Sequence, residues 1–174
     1  MDLKEKFRHI PNFPKEGIDF IDITTVLNDA EAFKFAVDEM SKLVLKACPD
    51  VNVIVGTESR GFILGAAIAY KLGVRFVPVR KVGKLPYATI KGTYELEYGT
   101  DSMEMHVDAV TLGDNVVIVD DLLATGGTVS CVVDMVNQLR GKICGSVFLV
   151  ELNELQGKEL IESKNVSVYS VVNI

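Results

Sequence analysis

Two adjacent carboxylates, Asp120 and Asp121, stand just before the run Ala124, Thr125, Gly126, Gly127, Thr128. The glycines can adopt positive φ and carry no Cβ, so successive backbone N–H groups can converge on one anion. The first turn of a following helix adds unpaired donors and partial positive charge, and the hydroxyls of Thr125 and Thr128 complete a cradle the size of a phosphate. Acids beside a phosphate would repel it unless they accept hydrogen bonds from a neighbouring polyol or reach a metal ion. The vicinal diol of a ribose meets the first condition, because each hydroxyl donates to a carboxylate. The plainer reading is a strand-to-helix turn with solvated acids and glycines that only shape the turn. For D-D-x-x-A-T-G-G-T after a hydrophobic strand, the ligand reading is stronger.

The elements that must hold these residues can be read on either side. Val116, Val117, Ile118 and Val119 form a β-branched run typical of an inner strand of a parallel sheet, buried on both faces. Val129, Val132, Val133, Val136 and Leu139 then recur at helical spacing. In open α/β sheets, a loop between such a strand and helix lies at the carboxyl ends of the strands, where small ligands bind. Both acids are therefore expected to end at a solvent-facing site. A second loop, Gly56 to Gly61, follows the apolar strand at 51 to 55 and should emerge on the same edge, with Arg60 as a forked anion donor. Alone it would read equally well as a β-to-α turn with a surface arginine. Arg80, Lys81 and Lys84 add positive charge where another strand ends; alone such a run reads as a solvated loop, but beside two anion sites in an acidic chain it is expected to screen a bound polyphosphate.

V-I-V-D-D-L-L-A-T-G-G-T closely resembles the phosphoribosyl diphosphate (PRPP) signature of type I phosphoribosyltransferases. Further blocks carry the resemblance along nearly the whole chain: F-P-K-E-G-I-D-F at 13 to 20, V-G-T-E-S-R-G-F at 55 to 62, V-P-V-R-K-V-G-K-L-P at 77 to 86, Y-E-L-E-Y-G-T-D at 94 to 101, and V-E-L at 150 to 152. Their order resembles the adenine-specific members. The resemblance implies transfer of phosphoribose from PRPP to adenine, giving AMP and diphosphate, with Mg2+ held mainly by substrate oxygens. It implies 5′-phosphate binding at Ala124, Thr125, Gly126, Gly127 and Thr128, sugar hydroxyls on Asp120 and Asp121, and diphosphate at Glu58, Ser59, Arg60, Arg80, Lys81 and Lys84. A non-proline cis peptide at Glu58 to Ser59 is implied too. Residues 80–114 would form a flexible β-hairpin lid bearing Glu97, a candidate for handling the purine proton, and Tyr98. Adenine would be read around Asp19, Phe20 and Ile21 and would pack on Leu152. Asp19 stands where the family often has an apolar residue, and Ile21 and Tyr87 where it often has arginine. A homodimer is a further implication.

The remainder of the chain agrees with one such domain spanning 1–174, with 1–30 as an N-terminal hood. The predicted order is a short helix over 3–10, an extended 17–23, a helix opened by Asn28 with Glu31, a strand 51–55, a helix 61–72 and a strand 74–79. After the central loop and its helix come a strand 143–150, a helix 157–163 and a strand 166–172. Strands alternating with helices imply α/β architecture, a doubly wound, mainly parallel sheet. The hydrophobic share of 48% and charged share of 24% are ordinary for a globular protein, and net charge −6 speaks against a nucleic-acid partner. The N-terminus is too charged for a signal peptide and no apolar stretch is long enough for a bilayer, so a cytoplasmic protein without membrane contact is expected. Cys48, Cys131 and Cys144 lack metal-ligand spacing and read as reduced core thiols. His9 and His106 receive no role. The dinucleotide, P-loop, zinc-hydrolase and nucleophile-elbow motifs are absent.

Overall fold

The computed structural model describes residues 1–95 and 99–174. A 3-10 turn at Lys4–Lys6 leads into a small antiparallel pair, β1 (Arg8–Pro11) and β2 (Asp19–Asp22), and then into α1 (Thr24–Leu27) and α2 (Ala30–Ala47). There follow β3 (Val53–Thr57), α3 (Arg60–Leu72), β4 (Arg75–Lys81), β5 (Thr89–Glu95), β6 (Thr100–His106), β7 (Asn115–Leu123) and α4 (Gly127–Gln138). The chain closes with β8 (Lys142–Glu151), α5 (Gly157–Glu162) and β9 (Val168–Asn173). Among the described residues seven strands form one sheet in the order β5-β6-β4-β3-β7-β8-β9. The five from β4 to β9 run parallel, and the hairpin β5–β6 joins antiparallel to β4 through Arg80↔Glu104 and Lys81↔Met103.

Strand alternation divides the interior. Ile54, Val117, Val119, Val147 and Leu149 face a core shared with α2 and α3, while Val53, Val55, Val116, Ile118 and Phe148 face one shared with α4 and α5. Each strand thus covers both sheet faces, which is why its sequence reads as continuous β-branched residues rather than as an alternation with polar ones. No helix among the described residues is long and apolar enough to cross a membrane.

Two local expectations change. The helix foreseen over 3–10 is a single 3-10 turn. Leu3 and Phe7 are buried four residues apart, but from Arg8 onward the backbone pairs with β2, from Arg8↔Asp22 to Pro11↔Asp19. The long helix is capped by Asp29 rather than Asn28: the Asp29 carboxylate accepts from the amides of Glu31 and Ala32, each at 3.1 Å. Phe148, wholly buried in the second core, offers a direct check of the layer arrangement. Phe148→Ala should cost about 3–5 kcal/mol in urea denaturation.

Candidate active site

The β7 strand runs further than its apolar residues suggested, carrying Asp120 and Asp121 inside it beside Phe148 of β8 and ending at Leu123. Ala124 and Thr125 make the turn, and Gly126, at φ 82°, caps α4 in the left-handed region that glycine adopts without strain. Residues 122 to 129, with Asp120, line a concavity of about 90 Å³. The backbone is brought there by an unforeseen neighbour, Gly157 at the start of α5. A Cβ on Gly126 would meet Gly157 O at 2.7 Å, and one on Gly157 would overlap Ala124 O and lie 2.9 Å from Gly126 N. The two glycines let the loop rest on the first turn of α5, backbone against backbone.

A second cavity of about 220 Å³ adjoins the first, sharing Asp120, Leu122 and Thr128 with it; Glu58, Ser59, Arg60, Lys81, Tyr94, Met103 and Asp121 complete its wall. The acids are less open to solvent than expected. Asp121 is 5% exposed, because it lies within the strand rather than beyond it, and Arg60 Nε sits 2.8 Å from its Oδ2 without the alignment of a hydrogen bond. Asp120 is half-buried, and its Oδ1 accepts from the Asp121 amide at 2.9 Å. Burial, and then the charge of Asp121, push the Asp120 carboxyl well above the usual carboxylate range. Gly61 makes room for it: a Cβ there would come within 2.6 Å of Asp120 Oδ1 and 2.9 Å of the buried Thr57 Oγ1.

The Glu58 to Ser59 peptide is cis. Glu58 ties this loop to the end of β4, accepting from Lys81 N at 2.8 Å and Arg80 Nε at 3.2 Å. Burial opposes its ionisation, but these donors outweigh it and hold the carboxyl below its ordinary value. Lys81 forms a very short ion pair with Asp101 and lies 3.3 Å from the Tyr94 hydroxyl, which donates to Asp101 at 3.1 Å. Burial pulls the Lys81 ammonium down, yet these partners outweigh it and raise its pKa. Arg80 and Lys84 line neither cavity; Arg80 is spent on Glu58 and on the Lys84 carbonyl at 3.4 Å, and Lys84 is exposed. The 83–85 loop carrying Lys84 is anchored from below by Glu104, 6% exposed, which accepts from the amides of Gly83 and Leu85 at 3.0 and 3.2 Å.

The residues expected around a base lie outside both cavities. Phe20 is the one that reaches the site, with the Arg60 guanidinium carbon 5.3 Å from its ring centre. Ile21 is 3% exposed in the core and Leu152 packs partly buried against the same cluster, and the Leu152 amide bonds to Leu123 O at 2.9 Å beside the loop. Asp19 points to His9, at 2.7 Å across the β1–β2 pair, giving that histidine a partner that the sequence did not suggest. His106 has a buried Nε2 without a hydrogen-bond partner among the described residues and a ring 6.0 Å from that of Tyr87. Glu97 and Tyr98 lie outside the described residues. Thr57, Gly61, Tyr94, Asp101, Glu104 and Gly157 were missed as contributors. Thr57 and Gly61 stand inside the 55–62 block and Tyr94 and Asp101 at the ends of the 94–101 block, so each carried a signal without a role; Glu104 and Gly157 are brought in by strand pairing and helix docking that no local pattern records. Among the described residues no cluster of three or more His, Cys, Asp or Glu side chains could hold a metal ion.

Comparison with known proteins supplies a family. Residues 24–173 match the model of the phosphoribosyl transferase domain. The chain is 59% identical to an adenine phosphoribosyltransferase of Acetivibrio thermocellus over 166 residues, 95% of this chain and 96% of that one. It superposes on the crystal structure of adenine phosphoribosyltransferase from Thermoanaerobacter pseudethanolicus with a TM-score of 0.91 and 47% identity, covering 99% of this chain and 98% of the other. The Saccharomyces cerevisiae enzyme, crystallised with an imino-altritol bisphosphate and adenine, gives a TM-score of 0.91 and 40% identity over 97% and 95% of the two chains.

The raised pKa of Asp120 has a definite consequence for stability. Its neutral form is favoured on folding, so its contribution is present below the unfolded-state value and is lost as pH rises through the raised folded value. Ligand-free Asp120→Asn should therefore melt higher than the parent chain near pH 8 and show less of a gain near pH 4. Equal melting-temperature differences at both pH values would contradict this placement of the charge.

Proposed function

Because the chain belongs to the phosphoribosyl transferase domain family, as a near full-length relative of adenine phosphoribosyltransferases, we infer that it salvages purine by transferring phosphoribose from PRPP to adenine, releasing AMP and diphosphate. The observation that supports this most is the joining of the two cavities at Asp120, Leu122 and Thr128. One is walled by backbone and hydroxyl donors and suits a phosphomonoester. The other is walled by acids and cations and suits a diol with a diphosphate.

In this reading the amides and hydroxyls of Ala124 to Thr128 hold the 5′-phosphate, with the start of α4 behind them. Asp120 and Asp121 accept from the ribose hydroxyls. Arg60 turns from Asp121 to the departing diphosphate, while the 58–60 backbone, Lys81 and Lys84 share the charge that develops as the bond at C1 breaks and the sugar gains oxocarbenium character. Arg80 keeps Glu58 in place. The 80–114 excursion closes over the sugar and excludes water, and its Glu97 receives the purine proton. The base lies by Phe20 and the 19–21 backbone, with Leu152 beneath. The mutual repulsion of Asp120 and Asp121, with no cluster of three or more His, Cys, Asp or Glu side chains able to hold a metal among the described residues, suits a cation that arrives with substrate. Mg2+ bound through substrate oxygens would supply charge neutralisation for the diphosphate. A homodimer in the cytoplasm completes the proposal.

Absorbance assays with PRPP and adenine, hypoxanthine, guanine or xanthine should show turnover of adenine; turnover of hypoxanthine without adenine would reject the base assignment. The support beneath the phosphate loop makes a second prediction. Gly157→Ala should lower kcat/KM for PRPP by about 100-fold through a displacement of roughly 1 Å at a distance from the reacting atoms. An unchanged value would show that α5 does not set the loop.

A further inference from the structure

At the opposite end of β8 from Glu151, two cysteines remote in sequence meet. Cys48 caps the C-terminus of α2, and Cys144 lies near the start of β8. Their Sγ atoms are 2.6 Å apart. Non-bonded sulfurs do not ordinarily approach so closely, and the separation exceeds the ~2.05 Å of a disulfide by only about half an ångström. The approach has a cause in the sheet: β7 and β8 slip register so that Val116 faces Ile143 and Val117 faces Gly145, leaving Cys144 as the extra, unpaired residue of a bulge. Gly145 lets the bulge lie against α2, since a Cβ there would come within 3.1 Å of the Ala47 Cβ.

We propose that Cys48 and Cys144 are an oxidisable dithiol site that closes to an intramolecular disulfide in the presence of a hydroperoxide, stapling α2 to the sheet. The two thiols are not equivalent. Cys48 is 1% exposed, and burial pushes its thiol up to about 12, so it is neither reachable nor ionised at neutral pH; Cys144 is half-buried and meets the oxidant first. The Cys144 thiolate attacks the peroxide oxygen, breaking the O–O bond and giving a sulfenic acid, and the hydroxide released takes up the proton that Cys144 lost on ionising to give water. Cys48 Sγ then displaces hydroxide from Cys144 Sγ. The Cys48 proton leaves toward that hydroxide by way of Asp50, whose Oδ1 is 3.5 Å away, so that two thiols and one hydrogen peroxide give one disulfide and two waters. Cys131, 4% exposed and with no sulfur partner among the described residues, stays reduced.

The test is treatment of the full chain with one equivalent of hydrogen peroxide, followed by intact mass, thiol titration in denaturant and non-reducing peptide mapping. Expected are a mass loss of about 2 Da, a fall from three titratable thiols to one, and a linked Cys48–Cys144 peptide, all reversed by dithiothreitol. The oxidised chain should melt roughly 5–10 °C higher, because the bridge closes a long loop in the unfolded state. Cys131→Ser should retain the mass loss and Cys144→Ser should abolish it. Added oxygen without the linked peptide, a link through Cys131, or cross-linked chains would each overturn the proposal.

Discussion

Two carboxylates side by side in the mouth of a buried strand repel each other, and the surrounding site is the set of groups that makes this tolerable. Asp121 is held by the Arg60 guanidinium, while Asp120 takes the amide of its neighbour and is driven toward its neutral form. Arg60 in turn lies over Phe20, which couples the N-terminal hairpin to the acid pair. Three positive groups on this edge are held by the chain's own acids: Arg60 by Asp121, Arg80 by Glu58, Lys81 by Asp101. On the proposed function, substrate hydroxyls and phosphates exchange for these internal partners, so the charges are already gathered before the ligand arrives and little reorganisation is needed at the moment of reaction.

Close backbone approach gives that charge arrangement its accuracy. Gly126 rests on Gly157, and Gly61 admits the Asp120 carboxylate. Glu58 and Glu104 act as tethers, the first accepting the Lys81 amide at the end of β4 and the second the amides of the 83–85 loop that carries Lys84. These contacts depend on the two apolar layers behind them, since a loop can be fixed only as well as the strand and helix it connects. The stability of the sheet and the geometry of the site are thus the same property seen from opposite ends of β7.

Much of this could be read in the chain itself, and the exceptions have physical causes. The run Val116 to Val119 and the Gly126–Gly127 turn are local signals, and they located the central strand, the helix after it and the anion loop. A hairpin was expected within 80–114, but where its pairing begins, at Thr89↔His106, could not be read because strand ends are set by a partner, not by the residues alone. Residues 3–10 looked helical for the same reason: the competing strand pairing lies a dozen residues away. Asp121 was expected in solvent because its burial comes from Arg60 and the neighbouring strands. Gly157 and Glu104 reach the site only through tertiary docking, and around the expected base Ile21 and Leu152 lie against the core and Asp19 at the surface.

A crystal structure of the chain with AMP bound tests the central claim most directly. The phosphate is expected against the amides from Ala124 to Thr128, with both ribose hydroxyls donating to Asp120 and Asp121 and Arg60 drawn away from the latter. A nucleotide seated elsewhere, or a ribose that leaves Asp121 paired with Arg60 as it is now, would contradict it.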